Sequence, residues 1–124
     1  MSDSPKYIQI RPQSFDPHRI LAYVDALDKR LINAEIEYDE VKDQVDEMFD
    51  YVVNEKMTNE SLSVSLAKVK ATNDERYMKI KKELSDKKKL FLVAKIEAKN
   101  GHSYCDHLKQ QSINELATEK LTRN

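Results

Sequence analysis

Residues that break helices are almost absent from this chain of 124 residues. It has one glycine, Gly101, and three prolines, Pro5, Pro12 and Pro17. Residues 18 to 100 therefore contain neither breaker, which favours helices and argues against a fold of strands and turns. With 35% charged residues and a mean hydropathy of -0.74, we expect a thin, elongated core.

Long apolar runs and paired cysteines are also missing. No run approaches the roughly 20 apolar residues of a membrane-spanning helix, and residues 1 to 6 lack the apolar core of a signal peptide. Cys105 is the single cysteine, so it has no intramolecular disulfide partner. The absence of apolar runs predicts a soluble cytoplasmic protein with no membrane association, and the single cysteine is consistent with a reducing compartment.

Apolar residues recur by alternating steps of four and three through the first half of the chain. This spacing is a heptad repeat, which is typical of a long helix that packs against a partner helix. The residues of this seam are Ile20, Val24, Leu27, Leu31, Ala34, Tyr38, Val41, Val45, Met48 and Val52. A second apolar strip beside it, at Ile32, Ile36, Phe49 and Val53, suggests self-association as a dimer or higher oligomer.

The order of helix signals predicts three helices after an extended arm of residues 1–15. Asp16 and Pro17 suit a helix start. The Asp side chain can accept a hydrogen bond from a free N–H of the first turn, and Pro in that turn loses no hydrogen bond. We expect helices at about residues 17–55, 60–100 and 103–121, with a cap at Thr58 or Asn59 and a stop at Gly101. The predicted fold is all-α: an antiparallel coiled-coil hairpin, residues 16–124, with a short third helix at its C-terminal end.

The apolar stripe of the second predicted helix is less regular. It consists of Leu62, Leu66, Val69, Tyr77, Ile80, Leu84, Phe91 and Ala98. Asn73 and Lys87 or Lys88 interrupt it, and we interpret Asn73 as a polar residue that fixes the register of the seam.

Charge divides the chain into an acidic front and a basic back. Residues 1 to 67 contain 7 Lys and Arg against 14 Asp and Glu, whereas residues 68 to 124 contain 14 against 8. If the two halves pack as a hairpin, opposite charges flank the shared seam. Otherwise the basic half is free to bind a polyanion.

Lysines and aromatic residues concentrate in the second predicted helix. Lysines neutralise phosphates without reading sequence, and aromatic rings stack on unpaired bases. The candidate nucleic-acid-binding residues are Lys79, Lys81, Lys82, Lys87, Lys88, Lys89, Lys95, Tyr77 and Phe91. The alternative is a solvated helix face that pairs with the acidic helix.

No pattern points to catalysis or to a metal. His102, Cys105, Asp106 and His107 lie close together, but a structural zinc site normally takes four ligands from paired motifs, and no second pair occurs. The sequence also lacks the familiar nucleotide-binding and hydrolase motifs. We therefore expect no enzyme activity, no metal and no cofactor.

A set of residues between about 30 and 117 follows a helical pattern that is shared with a known family. These residues are Lys56, Met57, Thr58, Ser61, Lys68, Lys70, Asp74, Tyr77, Ile80, Lys81, Lys82, Glu83 and Leu84, then Asp106, His107, Leu108 and Lys109. In this pattern the chain resembles the small helical phage recombination mediators of the UvsY type. The resemblance implies an all-helical oligomer in the host cytoplasm that binds single-stranded DNA and helps to load a recombinase.

Two functional hypotheses follow. The first is a non-enzymatic accessory protein of recombination or replication that binds single-stranded DNA non-specifically through the basic helix. The alternative is a coiled-coil structural or assembly adaptor, for example in phage morphogenesis, that binds protein and not nucleic acid.

Overall fold

The computed structural model describes residues 11–122, and every regular element in that range is an α-helix. The helices are α1 (Pro17–Asn59), α2 (Val64–Thr72) and α3 (Glu75–Thr122). The predicted all-α class is therefore confirmed. The predicted arm is partly visible: residues 11–16 are non-helical, while residues 1–10 lie outside the described range.

The start of α1 is where the sequence predicts it. The Asp16 carboxylate accepts hydrogen bonds from the backbone N–H groups of His18 and Arg19, at 3.1 and 3.4 Å. The Asp16 carbonyl accepts the next one, from the Ile20 N–H at 2.9 Å. Asp16 thus satisfies donors that the first turn of any helix leaves without a partner.

The heptad seam of α1 is confirmed. None of its ten residues is exposed, and Leu27, Val41, Val45 and Val52 are buried. The four residues of the second apolar strip differ in exposure. Ile32 and Ile36 are about half exposed, whereas Val53 is buried and Phe49 is partly buried.

The connection after α1 differs from the prediction. The first helix continues to Asn59 rather than ending near Glu55, and the cap of α2 is Ser63, whose hydroxyl accepts a hydrogen bond from the Leu66 N–H at 3.4 Å. Between them Ser61 has a φ of 53°, in the left-handed region that favours glycine. Thr58 and Asn59 belong to the last turn of α1.

The predicted helix of residues 60–100 is interrupted. Asn73 ends α2 instead of occupying a seam, and Asp74 begins α3 by accepting a hydrogen bond from the Arg76 N–H at 2.9 Å. The buried residues of α2 are Ala67 and Ala71. The prediction that Leu66 and Val69 face the core is wrong, since they are 55% and 61% exposed.

At the C-terminal side, the predicted stop at Gly101 and the separate helix of residues 103–121 are also wrong. The helix α3 runs through this region without a break, and Gly101 does not have a positive φ. Its seam keeps the steps of three and four. The seam residues are Tyr77, Ile80, Leu84, Lys87, Phe91, Ala94, Ala98, Gly101, Cys105 and Leu108, all of them buried or partly buried.

Packing divides the chain into two compact units, each made of a piece of α1 and a piece of α3. Of the described residues, the first contains those up to Ile32 and from Val93 onwards, and the second is Asn33–Leu92. In the first unit, Tyr23 and Leu27 pack with Ala98 and Cys105. Large side chains of α1 thus meet small ones of α3, which permits a close approach of the two helices.

The second unit has its own core at the end where α2 lies. Val52 and Val53 of α1 pack with Ala67 and Ala71 of α2. This explains why Val53 is not available as part of an outer strip.

The α1 and α3 pieces run antiparallel in both units. Arg30 pairs with Glu97 in the first unit at 2.8 Å, while Asp28, earlier in α1, pairs with His102, later in α3. In the second unit, Tyr38 stacks on Phe91 and Phe49 packs against Tyr77. The antiparallel helix pairing expected of a hairpin is therefore confirmed within each unit.

Candidate nucleic-acid interface

Most of the predicted lysines lie on the exposed surface of α3 in the second unit. Lys79, Lys81, Lys82, Lys88 and Lys89 are all exposed. Within the described range, none of them forms an ion pair with a carboxylate. Their charges are therefore available to a ligand.

Four of these lysines repeat with the period of the seam. Residues 81 and 88 are seven apart, as are residues 82 and 89, and seven residues are almost two turns, or about 10.5 Å along the helix. They therefore form two short rows along one side of α3. We call Lys81, Lys82, Lys88 and Lys89 the lysine strip.

Lys87 lies in the seam rather than in this strip. Its ammonium is 3.4 Å from a carboxylate oxygen of Glu37 on α1, and its side chain is 29% exposed. Its charge is already compensated within the second unit, so we do not count it among the available cations.

Both predicted aromatic residues also belong to the seam. The Phe91 ring stacks on Tyr38 with centroids 5.7 Å apart and an angle of 15°, and the Tyr77 ring packs against Phe49 at 5.2 Å. Lys81 Nζ lies 5.4 Å from the centroid of the Tyr77 ring. Both rings pack α1 against α3, so they are engaged in the seam rather than free to stack on bases.

Lys95 lies on the same helix but in the first unit. It is exposed and, within residues 11–122, has no carboxylate at ion-pair distance. We describe it separately from the lysine strip of the second unit.

Near the junction of α2 and α3, an ion-pair network surrounds Arg76. Its guanidinium donates to Glu55 on α1 at 2.7 and 3.1 Å, and also to the Asp74 carboxylate at 3.0 Å. The Asp74 side chain is only 10% exposed. The network ties the first turn of α3 to the last part of α1.

The electrostatics of this network follow from its hydrogen bonds. Donation by Arg76 lowers the pKa of Asp74 to about 2 and also lowers the pKa of Glu55. The two carboxylates raise the pKa of Arg76, mainly through the bond to Glu55. Nearby, Lys70 donates to Glu60 at 2.8 Å and lowers the pKa of that carboxyl.

Sequence reasoning missed this network because it treated Asn73 as a seam residue. The signal was the pair Asn73 and Asp74, since Asn often ends a helix and Asp often begins one. The charged groups of this network already pair with one another, so we assign the network a structural role.

The cluster around Cys105 does not form a metal site. In the described part of the chain, no group of three or more His, Cys, Asp or Glu side chains is placed to hold a metal ion. Cys105 is buried in the seam, and burial raises the pKa of its thiol. His102 instead contacts Asp28, with Nε2 2.8 Å from Oδ1.

Comparisons with known proteins add no family. No protein-family model, no curated protein and no solved structure matches the chain. The UvsY-type resemblance therefore stays a prediction. None of the helices between residues 11 and 122 is long and apolar enough to span a membrane.

Proposed function

We propose that this protein is a non-enzymatic accessory protein that binds single-stranded nucleic acid through the lysine strip. The observation that supports this most is the availability of the charge. Four exposed ammonium groups lie along one side of α3 without an ion-pair partner in the described chain, while Lys87 and Arg76 nearby are both paired.

Contacts of this kind recognise phosphates and not bases. Lysine binds a phosphate as a point charge and carries no sequence information. The aromatic rings that usually read unpaired bases are occupied in the seam. We therefore expect binding without sequence preference, with an affinity that comes from counterion release.

The shape of the strip favours a single strand. The lysines lie along one side of α3, and a flexible strand can adapt its phosphates to them, whereas the phosphates of a duplex follow a fixed helical path. The UvsY-type resemblance supplies a cellular role for such binding, which is assistance to a recombinase on single-stranded DNA.

Fluorescence anisotropy of a labelled single-stranded DNA oligonucleotide tests the proposal. With four phosphates neutralised, the logarithm of the binding constant should fall against the logarithm of salt concentration with a slope of about -3. A duplex of the same length serves as the comparison. An affinity that does not change with salt concentration, or that is higher for the duplex, would contradict the proposal.

One observation favours the second candidate, an adaptor that binds protein. Leu66 and Val69 of α2 are more than half exposed, while the opposite side of the same helix is buried. Exposed apolar side chains at helical spacing suit recognition by a partner helix. An absence of DNA binding even at low salt would favour this function over the first.

A further inference from the structure

The outer side of α1 in the second unit carries unpaired charges of the opposite sign. Asp39, Asp43, Asp46 and Asp50 are all exposed, and within the described chain none of them has a cation at ion-pair distance. Ile36, 49% exposed, precedes them on the same side. These five residues repeat by three and four, and we call them the acidic strip.

The acidic strip and the lysine strip have matching spacing. Asp39 and Asp46 are seven residues apart, and so are Lys82 and Lys89. Each interval is therefore about 10.5 Å along a helix. When two such helices lie side by side, both Asp–Lys pairs can form together.

Two apolar residues select the direction: Ile36 of the acidic strip and Leu92, which lies three residues beyond the lysine strip. In an antiparallel arrangement that pairs Asp39 with Lys89, Ile36 meets Leu92, which is 45% exposed. In a parallel arrangement that pairs Asp39 with Lys82, Ile36 meets Lys79 instead. The antiparallel arrangement is the one that covers apolar surface with apolar surface.

We propose that the acidic strip of one copy of this protein docks antiparallel on the lysine strip of a second copy. Each copy then has one acidic and one basic surface, so the contact is heterologous and each added copy presents a new free surface. This contact does not depend on nucleic-acid binding. Nucleic acid would compete with it, because both use Lys82 and Lys89.

The contact should be weak and sensitive to salt. Two heptads of one helix on two heptads of another make a small interface, well below the roughly 1,200 Å² of stable complexes. Salt screens exposed ion pairs, with a Debye length of about 10 Å at 0.1 M. Association should therefore increase with protein concentration and decrease when salt is added.

Charge reversal provides the test, by sedimentation velocity at low salt over a concentration series. One variant carries Asp39→Lys and Asp46→Lys, and the other carries Lys82→Glu and Lys89→Glu. Each alone presents like charges to its own copies and should remain monomeric. An equimolar mixture should associate again, because each basic strip then meets an acidic one.

Matched controls separate the strips from net charge. Glu115→Lys with Glu119→Lys, and Lys109→Glu with Lys120→Glu, make the same changes of net charge at exposed positions near the end of α3. Both controls should associate like the original protein, and circular dichroism should show unchanged helix content in all four variants. A monomeric original protein, strip variants that still associate alone, or a mixture that stays monomeric would each overturn the proposal.

The two proposals fail separately. The Asp39→Lys and Asp46→Lys variant keeps its lysine strip, so it should still bind single-stranded DNA while it no longer self-associates. If that variant remains monomeric and also loses DNA binding, the lysine strip is not the nucleic-acid site.

Discussion

Replacement of Gly101 by alanine tests the close packing of α1 against α3 in the first unit. A β-carbon at Gly101 would collide with Cδ1 of Leu27 and lie 3.4 Å from the Tyr23 ring. Leu27 is 3% exposed and Tyr23 is 8% exposed, so both side chains are enclosed by neighbouring residues. The added methyl group must therefore displace a core residue or the helix itself.

Two opposing effects determine the magnitude. Alanine in a helix interior is favoured over glycine by about 1 kcal/mol. Forcing an extra carbon into a packed core costs typically about 1–3 kcal/mol. The collision involves a buried side chain, so we expect the packing cost to exceed the helix gain, with a net loss of about 1 kcal/mol of unfolding free energy.

Urea denaturation followed by circular dichroism measures this loss, and a double-mutant cycle identifies its cause. Leu27→Ala alone should cost about 2–5 kcal/mol, because it leaves a cavity. In the Gly101→Ala and Leu27→Ala double variant the methyl group enters that space, so the double variant should be more stable than the sum of the single effects predicts. A stabilising Gly101→Ala, with no coupling to Leu27, would refute the close contact.

Three further predictions concern other parts of the fold. The pKa of Asp74, about 2, and the pKa of Glu55 both lie below their ordinary values. The stability that Arg76 supplies is therefore present above pH 4.5 and is lost as the pH falls towards 2. Acid titration followed by circular dichroism should show a smaller loss of stability for Arg76→Ala than for the original protein, and an equal loss would contradict the network. Ser61→Gly should raise the thermal midpoint, because glycine adopts a positive φ without strain. Ser61→Val should lower the midpoint, by an amount that corresponds to about 1–2 kcal/mol of unfolding free energy. Equal midpoints of the two variants would argue against the left-handed turn. Val45→Asp should cost at least about 3 kcal/mol by burying an unpaired charge in the seam, and an unchanged melting curve would refute the heptad assignment.

The parts of the fold that sequence predicts well are those where large apolar residues mark the seam. Along α1, valine, leucine and isoleucine at steps of three and four identify the buried side directly. The Asp16–Pro17 start is equally clear, because both residues have strong positional preferences at a helix start.

The errors occur where small residues form the core. Ala94, Ala98 and Gly101 continue the seam of α3, but their side chains carry little hydrophobic signal, and Gly101 is normally read as a stop. Inside α3, Gly101 packs against Leu27 of α1. This contact between distant residues cannot be predicted from the local sequence around Gly101. Tertiary packing overrides helix propensity at this position.

The same cause explains α2. Hydrophobicity favours a core formed by Leu66 and Val69, yet Ala67 and Ala71 are buried because they permit a close approach to Val52 and Val53. In the candidate interface, all the predicted lysines except Lys87 are exposed. Tyr77 and Phe91 pack against Phe49 and Tyr38 in the seam, although Lys81 Nζ lies 5.4 Å from the Tyr77 ring centroid. Their steps from Ile80 and Leu84 already place both residues in the seam.

The most direct test of the central claim compares the DNA affinity of two variants with equal net charge. Lys88→Glu with Lys89→Glu reverses two charges of the lysine strip, and Lys109→Glu with Lys120→Glu reverses two exposed charges elsewhere on α3. In anisotropy titrations with single-stranded DNA, we expect the first variant to lose binding and the second to remain close to the original protein. Equal affinities of the two variants would show that nucleic acid does not bind at the lysine strip.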